Sequence, residues 1–364
     1  MGKKYPKPSE NRKAIHINKV YAQIRIKMKI LLSLFCLLVS AFCLSGTEKN
    51  ADTDNPVLWK EVTYPCEFDN SEQKALVYFA PEGTPRPLIV ALHTWSLTYA
   101  GSRNYVTLAA KYKCHMIGPD FRGKNNAGNP LSMGSDAAVA DIVSAVEWMK
   151  KQCAVDPERI YLVGGSGGGH MALLMAGRHP EIWAGVSAWC PISDLKAWCA
   201  FHRGKGYGAH IISNLKGDPR QNETAAKEAA YRSPITWLAK AKNVPLDIST
   251  GIHDGHKGSV PISHALYAFN AVVPAPERIP ETLIEYMVRE EKVPDGTQDF
   301  QDSSYGKRKI HYRKISGNTR VTIFEGGHHI LSGTAIIWLL NQRKGKSAKW
   351  QTKASSGNAE KLTR

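Results

Sequence analysis

The chain has 364 residues, of which 43% are hydrophobic and 22% charged, so it is long enough for one large domain and is not globally disordered. Its formal net charge of +16 lies mostly at the ends: residues 1–29 carry +8 and residues 343–364 carry +6, which leaves +2 for the residues between. A nucleic-acid-binding domain concentrates Lys and Arg on one face of the fold, so this distribution argues against a nucleic-acid partner.

The N-terminal segment is typical of a secretory signal. A basic flank ends at Lys29 and is followed by an uncharged, mostly apolar run from Ile30 to Phe42. About 13 apolar residues after basic ones suit a signal peptide and are too few for a spanning helix. Residues 1–46 are therefore predicted to be a basic extension and signal peptide of a secreted or periplasmic protein. An uncleaved signal, which would tether the chain to a membrane, is the alternative.

Five cysteines follow this segment, an odd number without the spacing of a disulfide framework or a C-x-x-C metal site. Cys190 and Cys199 are candidates for a disulfide in an oxidising compartment. Buried free thiols are the favoured interpretation.

Short apolar runs and longer amphipathic ones alternate along the rest of the chain. This alternation predicts the α/β class, with a mostly parallel central sheet flanked by helices. Residues 47–342 are predicted to form one domain, and the basic tail 343–364 is predicted to be disordered. The stretches Cys199–Leu238 and Val273–Ser316 interrupt the alternation and are predicted to be lid-like insertions. The predicted strands are Lys74–Ala80, Pro87–Leu92, Cys114–Gly118, Arg159–Val163, Ala184–Trp189, Pro245–Thr250 and Val321–Phe324, and the predicted helices are Ala137–Lys151, Gly167–Gly177, Ile262–Asn270 and Thr334–Gln342.

A glycine-rich turn, Gly164–Gly168, with Ser166 at its centre, directly follows a predicted strand and precedes a predicted helix. The pattern G-x-S-x-G in this context is typical of a nucleophile elbow, which exposes the serine hydroxyl above the sheet. The helix N-terminus adds positive partial charge, and the backbone N–H of Gly167 is expected to donate to an oxyanion. A phosphate loop would need Lys after the glycines, and none follows. Ser166 is therefore the predicted nucleophile.

An activated serine needs a histidine base that an acidic side chain orients. Asp254 comes just after the predicted strand Pro245–Thr250, where this order of elements places the acid. Asp194, one strand earlier, is the main alternative. The remaining candidates are Asp247, Asp295, Asp299 and Asp302.

The predicted base is His328, which follows two glycines in the loop between the last predicted strand and the last predicted helix. His329 is interpreted as its neighbour, and His170, on the helix after the serine, as a packing residue. Trp95 follows the strand Pro87–Leu92, and its backbone N–H is predicted to be the second oxyanion donor.

A cluster of histidines would suggest a metal site, and the candidates are His93, His253, His256, His328 and His329. None of these pairs has the helical i, i+4 spacing and carboxylate pattern of a zinc site, so no metal is predicted.

The Ser166 turn, the Asp254 loop and the Gly-Gly-His328 loop together resemble the catalytic domain of the prolyl oligopeptidase family, over most of residues 58–342. This resemblance implies an α/β-hydrolase fold and serine hydrolysis through an acyl-enzyme, with no metal or organic cofactor. Further segments that fit the family are Gly118–Gly123, Asp141-Ile-Val and Asp156–Arg159.

Peptidases of this family carry a β-propeller before the hydrolase domain, whereas a short polar stretch precedes the first strands here. In this respect the chain is more similar to single-domain secreted esterases with the same catalytic core, several of which act on acylated plant polysaccharides. The resemblance thus implies a secreted ester hydrolase that acts on small-molecule or carbohydrate esters. A prolyl oligopeptidase-type serine peptidase and a non-catalytic binding protein of the same fold are the alternatives.

Overall fold

The structure is a computed structural model that describes residues 45–50, 53–296 and 300–351. The predicted signal segment, apart from residues 45 and 46, lies outside these residues. The strands are β1 (Ser45–Asn50), β2 (Thr53–Pro65), β3 (Glu72–Tyr78), β4 (Arg86–Leu92), β5 (His115–Pro119), β6 (Val155–Gly165), β7 (Gly185–Trp189), β8 (Leu246–Gly251), β9 (Ile310–Ser316) and β10 (Thr319–Phe324). The helices are α1 (Asn104–Lys111), α2 (Asp136–Gln152), α3 (Gly167–Arg178), α4 (Leu195–Phe201), α5 (Tyr207–Leu215), α6 (Glu223–Tyr231), α7 (Ser263–Val272), α8 (Glu281–Glu290) and α9 (Ser332–Leu339).

All ten strands form one sheet in the order β1-β2-β3-β5-β4-β6-β7-β8-β10-β9. The pairs from β5 through β4, β6, β7 and β8 to β10 are parallel, and β2–β3, β3–β5 and β10–β9 are antiparallel. The predicted mostly parallel sheet is therefore confirmed. Because parallel strands end at one edge, the loops after β4, β6, β7, β8 and β10 gather there.

The central strands are apolar along their whole length because helices cover both faces of the sheet. In β4, Leu88 and Val90 join a core with α2, α3 and α7, whereas Ile89 and Ala91 join a second core with α1 and α9. This double burial explains why the strand reads as a continuous apolar run in the sequence.

Both stretches predicted as insertions contain regular structure. Residues 199–238 form α5 and α6, and residues 273–316 contain α8 and the edge strand β9, which the sequence analysis did not predict. In β9 the adjacent polar residues Arg313 and Lys314 break the alternation of a strand, and most side chains are half-buried, so the periodicity did not reveal it.

The first part of the predicted C-terminal tail packs on the domain, so the expectation of disorder does not hold there. The backbone N–H of Lys344 donates to the carbonyl of Glu158 at 3.1 Å. The Trp350 ring stacks on Trp338, with 5.6 Å between ring centroids. Residues 352–364 lie outside the described part.

Within the described residues, no helix is both long and apolar enough to cross a bilayer. All five cysteines there are free thiols, and every one except Cys153 is buried.

Candidate active site

Ser166 occupies a sharp turn between β6 and α3. Its backbone has φ 56° and ψ −120°, a left-handed conformation that is costly for a residue with a Cβ. The turn is fixed by backbone hydrogen bonds, since the N–H of Ser166 donates to Trp189 at 2.8 Å and its carbonyl accepts from His170 at 2.9 Å. The serine is therefore held in a strained conformation by its neighbours, as a nucleophile elbow requires.

The glycines of this turn are needed for close backbone packing. A Cβ on Gly164 would lie 2.5 Å from the carbonyl carbon of Gly168, so a side chain there would separate strand and helix. A Cβ on Gly165 would overlap the side chain of Ile330, which lies two residues after His328. The serine turn and the histidine loop are therefore in direct contact.

Trp95 and Gly167 are neighbours through their backbones. A Cβ on Gly167 would lie 2.5 Å from both the nitrogen and the Cα of Trp95. The backbones that carry the two predicted oxyanion donors are thus in contact next to Ser166. The loop is anchored by the buried ring of His93, whose nitrogens lie 2.9 Å and 2.8 Å from the carbonyls of Thr94 and Asp120.

Asp254 lies in the loop after β8 and is 1% exposed. Its Oδ2 lies 2.7 Å from Nδ1 of His328, and its Oδ1 accepts from the backbone N–H groups of Gly255 (3.0 Å) and Val260 (3.2 Å). Four donors surround the carboxylate when the hydroxyl of Thr250, 3.4 Å from Oδ2, is included. These contacts fix the carboxylate and aim it at the imidazole.

The rival acids have other partners. Asp194 caps α4, because its side chain accepts from the backbone N–H of Ala197 at 3.0 Å. Asp247 is buried within β8 and forms an ion pair with Arg320 at 2.7 Å. Asp302 pairs with Arg313 at 3.0 Å, while Asp299 lies outside the described residues. Of the predicted acids that the structure describes, Asp254 is the one whose carboxylate meets His328.

His328 lies in the loop between β10 and α9. With its Nδ1 directed at Asp254, its Nε2 is left for another partner. His329 is exposed, and its Nδ1 accepts from the backbone N–H of Gly327 at 3.0 Å, which agrees with the role of a satisfied neighbour.

The loop of Asp254 (the acid loop) and the loop of His328 (the base loop) are joined at the surface by a network of imidazoles and carboxylates. This imidazole–carboxylate network consists of His253, His256, His311, Glu291 and Glu325. His253 Nδ1 lies 2.7 Å from Glu291 and its Nε2 lies 3.2 Å from Glu325, whose other oxygen contacts His311 at 2.7 Å. His256 Nδ1 lies 3.5 Å from Glu291. Contact with His311 and His253 lowers the pKa of Glu325, and contact with His253 lowers that of Glu291.

His170 is fully buried on α3, in accord with its predicted packing role. Its Nε2 lies 2.8 Å from the carbonyl of Arg232, and its ring meets that of Trp95 edge-on at 6.4 Å. Within the described part of the chain, Nδ1 of His170 has no hydrogen-bond partner. Burial lowers the pKa of His170 to about 4, so the ring is neutral at physiological pH.

Cys190, the first residue after β7, lies beside the acid–base pair. It is fully buried and has φ 44°. Its thiol contacts the carbonyl of His329 at 3.4 Å. One donor atom from each of Cys190, Asp254 and His328 lies within 4.8 Å of the others. The sequence offers Cys190 only as a disulfide candidate or a buried free thiol, because its distance from the pair is set by tertiary packing alone.

A cavity of about 510 Å³ opens next to the acid loop. Asp254, Gly255 and His264 line one part of it, and Phe201 and Val288 line another. Among the described residues, neither Ser166 nor His328 belongs to its walls. The cavity therefore adjoins the acid rather than surrounding the serine.

Comparison with known proteins places these observations in a family. The model of the prolyl oligopeptidase family matches residues 92–285, just over half of the chain. The match includes Ser166 and Asp254 and ends before His328.

Sequence relatives include both ester hydrolases and peptidases. Poly(3-hydroxyalkanoate) depolymerase C of Paucimonas lemoignei is 24% identical over 263 residues, covering 68% of this chain and 56% of the relative. Dipeptidyl aminopeptidase BIII of Pseudoxanthomonas mexicana is 27% identical over 221 residues, covering 56% of this chain and 30% of the relative. Acetylxylan esterase A of Talaromyces purpureogenus is 24% identical over 207 residues, covering 53% of this chain and 47% of the relative. The chain thus spans between about a third and just over half the length of these relatives.

Among solved structures, the acetyl xylan esterase from Paenibacillus sp. R4 aligns with a TM-score of 0.50 at 17% identity, covering 65% of this chain and 82% of that one. At this identity the likeness concerns the fold, and it agrees with the parallel sheet flanked by helices. The chain therefore has the α/β-hydrolase fold and belongs to the prolyl oligopeptidase family.

Proposed function

We propose that the chain is a carboxylic ester hydrolase in which Ser166 is the nucleophile, His328 the base and Asp254 the orienting acid. The observation that carries this proposal is the 2.7 Å contact between Asp254 and His328, on loops next to a serine with a strained backbone. Gly167 and Trp95 supply the oxyanion donors, since their backbones meet beside the serine.

The reaction begins when the hydroxyl oxygen of Ser166 attacks the ester carbonyl carbon and its proton passes to Nε2 of His328. Asp254 keeps the imidazole in the tautomer that leaves Nε2 free, and it stabilises the imidazolium that forms. The N–H groups of Gly167 and Trp95 stabilise the negative oxygen. His328 then gives the proton to the departing alcohol. Water, activated by the same imidazole, attacks the acyl-enzyme and releases the acid.

The ester assignment is supported by two of the relatives, which are named for hydrolysis of a polyester and of acetylated xylan. We propose small-molecule or carbohydrate esters as the substrate class on this basis. A serine peptidase of prolyl oligopeptidase type is the second candidate, because the family model and the Pseudoxanthomonas relative point to peptide hydrolysis.

The apolar run Ile30–Phe42 supports export from the cytoplasm. Intact-mass measurement of protein recovered from the culture medium would test both export and cleavage.

The decisive experiment compares Ser166→Ala with Ser213→Ala, an exposed serine on α5. Ser166→Ala is expected to lower kcat for p-nitrophenyl acetate by about 10⁶-fold, because the nucleophile is lost. Ser213→Ala should retain full activity, and both variants should keep the wild-type circular dichroism spectrum. Activity retained in Ser166→Ala would exclude this serine as the nucleophile.

The alternatives are separated by two further measurements. A matched pair of an acetyl ester and a prolyl amide distinguishes esterase from peptidase, since the amine leaving group demands stronger protonation. A fluorophosphonate probe labels only an activated serine, so absence of labelling at Ser166 would favour the non-catalytic binding protein.

A further inference from the structure

The proposed mechanism gives no role to the thiol of Cys190. It lies just after β7, and donor atoms of Cys190, Asp254 and His328 lie within 4.8 Å of one another; Cys190 and Asp254 are buried and His328 is half-buried. The serine turn and the loop of His328 both lie beside it. The carbonyl of Trp189, the residue before Cys190, accepts from the N–H of Ser166, and the thiol contacts the carbonyl of His329.

A thiolate, a carboxylate and an imidazole are the three ligand types that Zn²⁺ takes in proteins. With the usual zinc–ligand distances, donor atoms of a tetrahedral site lie about 3.3–3.6 Å apart. The Asp254–His328 pair would have to open by about 0.6 Å from its 2.7 Å contact to reach that spacing. The charges also balance, since one dication meets two anionic ligands and one neutral ligand.

We propose that Zn²⁺ or Cd²⁺ binds to Cys190, Asp254 and His328 and inhibits the hydrolase reversibly. The inhibition rests on the proposed function, because two of the three ligands are the proposed acid and base. The metal bonds to Nδ1 of His328, the nitrogen that faces Asp254. The ring proton then moves from Nδ1 to Nε2, so Nε2 has no lone pair left to accept the proton of Ser166.

One proton is released to solvent when the metal binds. It is the proton of the Cys190 thiol, which the metal displaces from the sulfur. The cavity beside Asp254 and Gly255 provides an entry path for the ion.

The competing location is the imidazole–carboxylate network at the surface, which offers nitrogen and oxygen donors and no sulfur. Two variants distinguish the locations. Cys190→Ala removes the sulfur, and Cys190→Gly does so while also suiting the positive φ of this position. Glu325→Gln weakens the network and leaves Cys190 in place.

Zinc titration of the wild type during p-nitrophenyl acetate hydrolysis is expected to give inhibition that EDTA reverses. The inhibitory concentration should rise at least about tenfold in Cys190→Ala and Cys190→Gly, because one of three protein ligands is lost. In Glu325→Gln it should stay within about twofold of the wild type. Equal inhibition of the wild type and both Cys190 variants would overturn the proposal.

Metal binding is also measured without activity, in the Ser166→Ala background. Co²⁺ should bind with a stoichiometry of one and show the thiolate-to-cobalt charge-transfer absorption, which Cys190→Ala abolishes. If this absorption is present while Ser166 proves dispensable for hydrolysis, the metal site stands and the proposed function fails. If it is absent while Ser166→Ala is inactive, the metal site fails and the proposed function stands.

Discussion

The serine turn and the acid–base loops meet at the same edge of the sheet, but they are held in different ways. Around Ser166 the contacts are between backbones: Gly164 touches Gly168, and Gly167 touches Trp95. Around Asp254 and His328 the contacts are polar and involve side chains, with four donors on one carboxylate.

This difference determines which changes each region tolerates. The serine turn depends on the absence of side chains, so added volume should damage it at any pH. The acid–base loops depend on charge and protonation, so isosteric substitutions and pH should affect them most.

The largest effect is expected from Asp254→Asn, which keeps the shape of the acid and removes its charge. The amide no longer fixes the productive tautomer of His328, and kcat for p-nitrophenyl acetate should fall by about 10⁴-fold. Asp194→Asn is the matched control, because the Asp194 side chain caps α4. Steady-state kinetics of both variants provide the measurement, and a similar kcat for Asp254→Asn and wild type would contradict the assignment of the acid.

Low pH should destabilise the region around Ser166 through His170, which lies on α3 directly after the serine. Its pKa is lowered from 6.5 to about 4 by burial, so below pH 6.5 the unfolded chain binds a proton that the folded chain refuses. Stability is therefore complete above pH 6.5 and falls by about 3 kcal/mol as pH drops to 4. His170→Gln keeps a donor for the carbonyl of Arg232 and does not titrate.

Urea unfolding at several pH values between 8 and 4 measures this effect. The free energy of unfolding of the wild type should decline more steeply than that of His170→Gln, with the difference between their pH dependences developing below pH 6.5. Parallel curves would show that His170 does not contribute to acid sensitivity.

Added volume in the serine turn should cost both stability and activity. In Gly164→Ala the new Cβ meets the backbone of Gly168, which cannot move without shifting α3. Denaturant unfolding should show a loss of about 1–3 kcal/mol, together with a reduced kcat. Gly333→Ala is the control, since nothing lies within 4 Å of its added Cβ. Equal stability of the two variants would mean that the turn has more room than its geometry indicates.

The sequence predicts the parts of the site whose signals are local. The glycines around Ser166, and the pair before His328, stand at or just after the ends of apolar strands and can be recognised in short windows. The edge strand β9 was missed because it pairs with β10 on one side and carries a half-exposed, mixed pattern. The contacts of Cys190 with the acid–base pair, and of His253 with Glu325, join residues far apart in the chain. These contacts depend on how the loops pack against one another, and the periodicity of the sequence does not predict loop packing.

The smallest effect concerns the surface network beside His328. Glu325 lies three residues before His328, and contacts with His311 and His253 hold its pKa below the usual range. A carboxylate with a lowered pKa stabilises the fold above the ordinary glutamate pKa of about 4.3, and this stabilisation disappears as pH falls through the lowered value. Because Glu325 is half-exposed, Glu325→Gln should cost at most about 1 kcal/mol near pH 6 and less at pH 3. Unfolding curves at both pH values test this, with Glu147→Gln, an exposed helical ion pair away from the site, as the control. If Glu325→Gln instead lowers kcat strongly at unchanged stability, the network positions His328 directly, and the polar contacts of the acid–base loops extend to the surface.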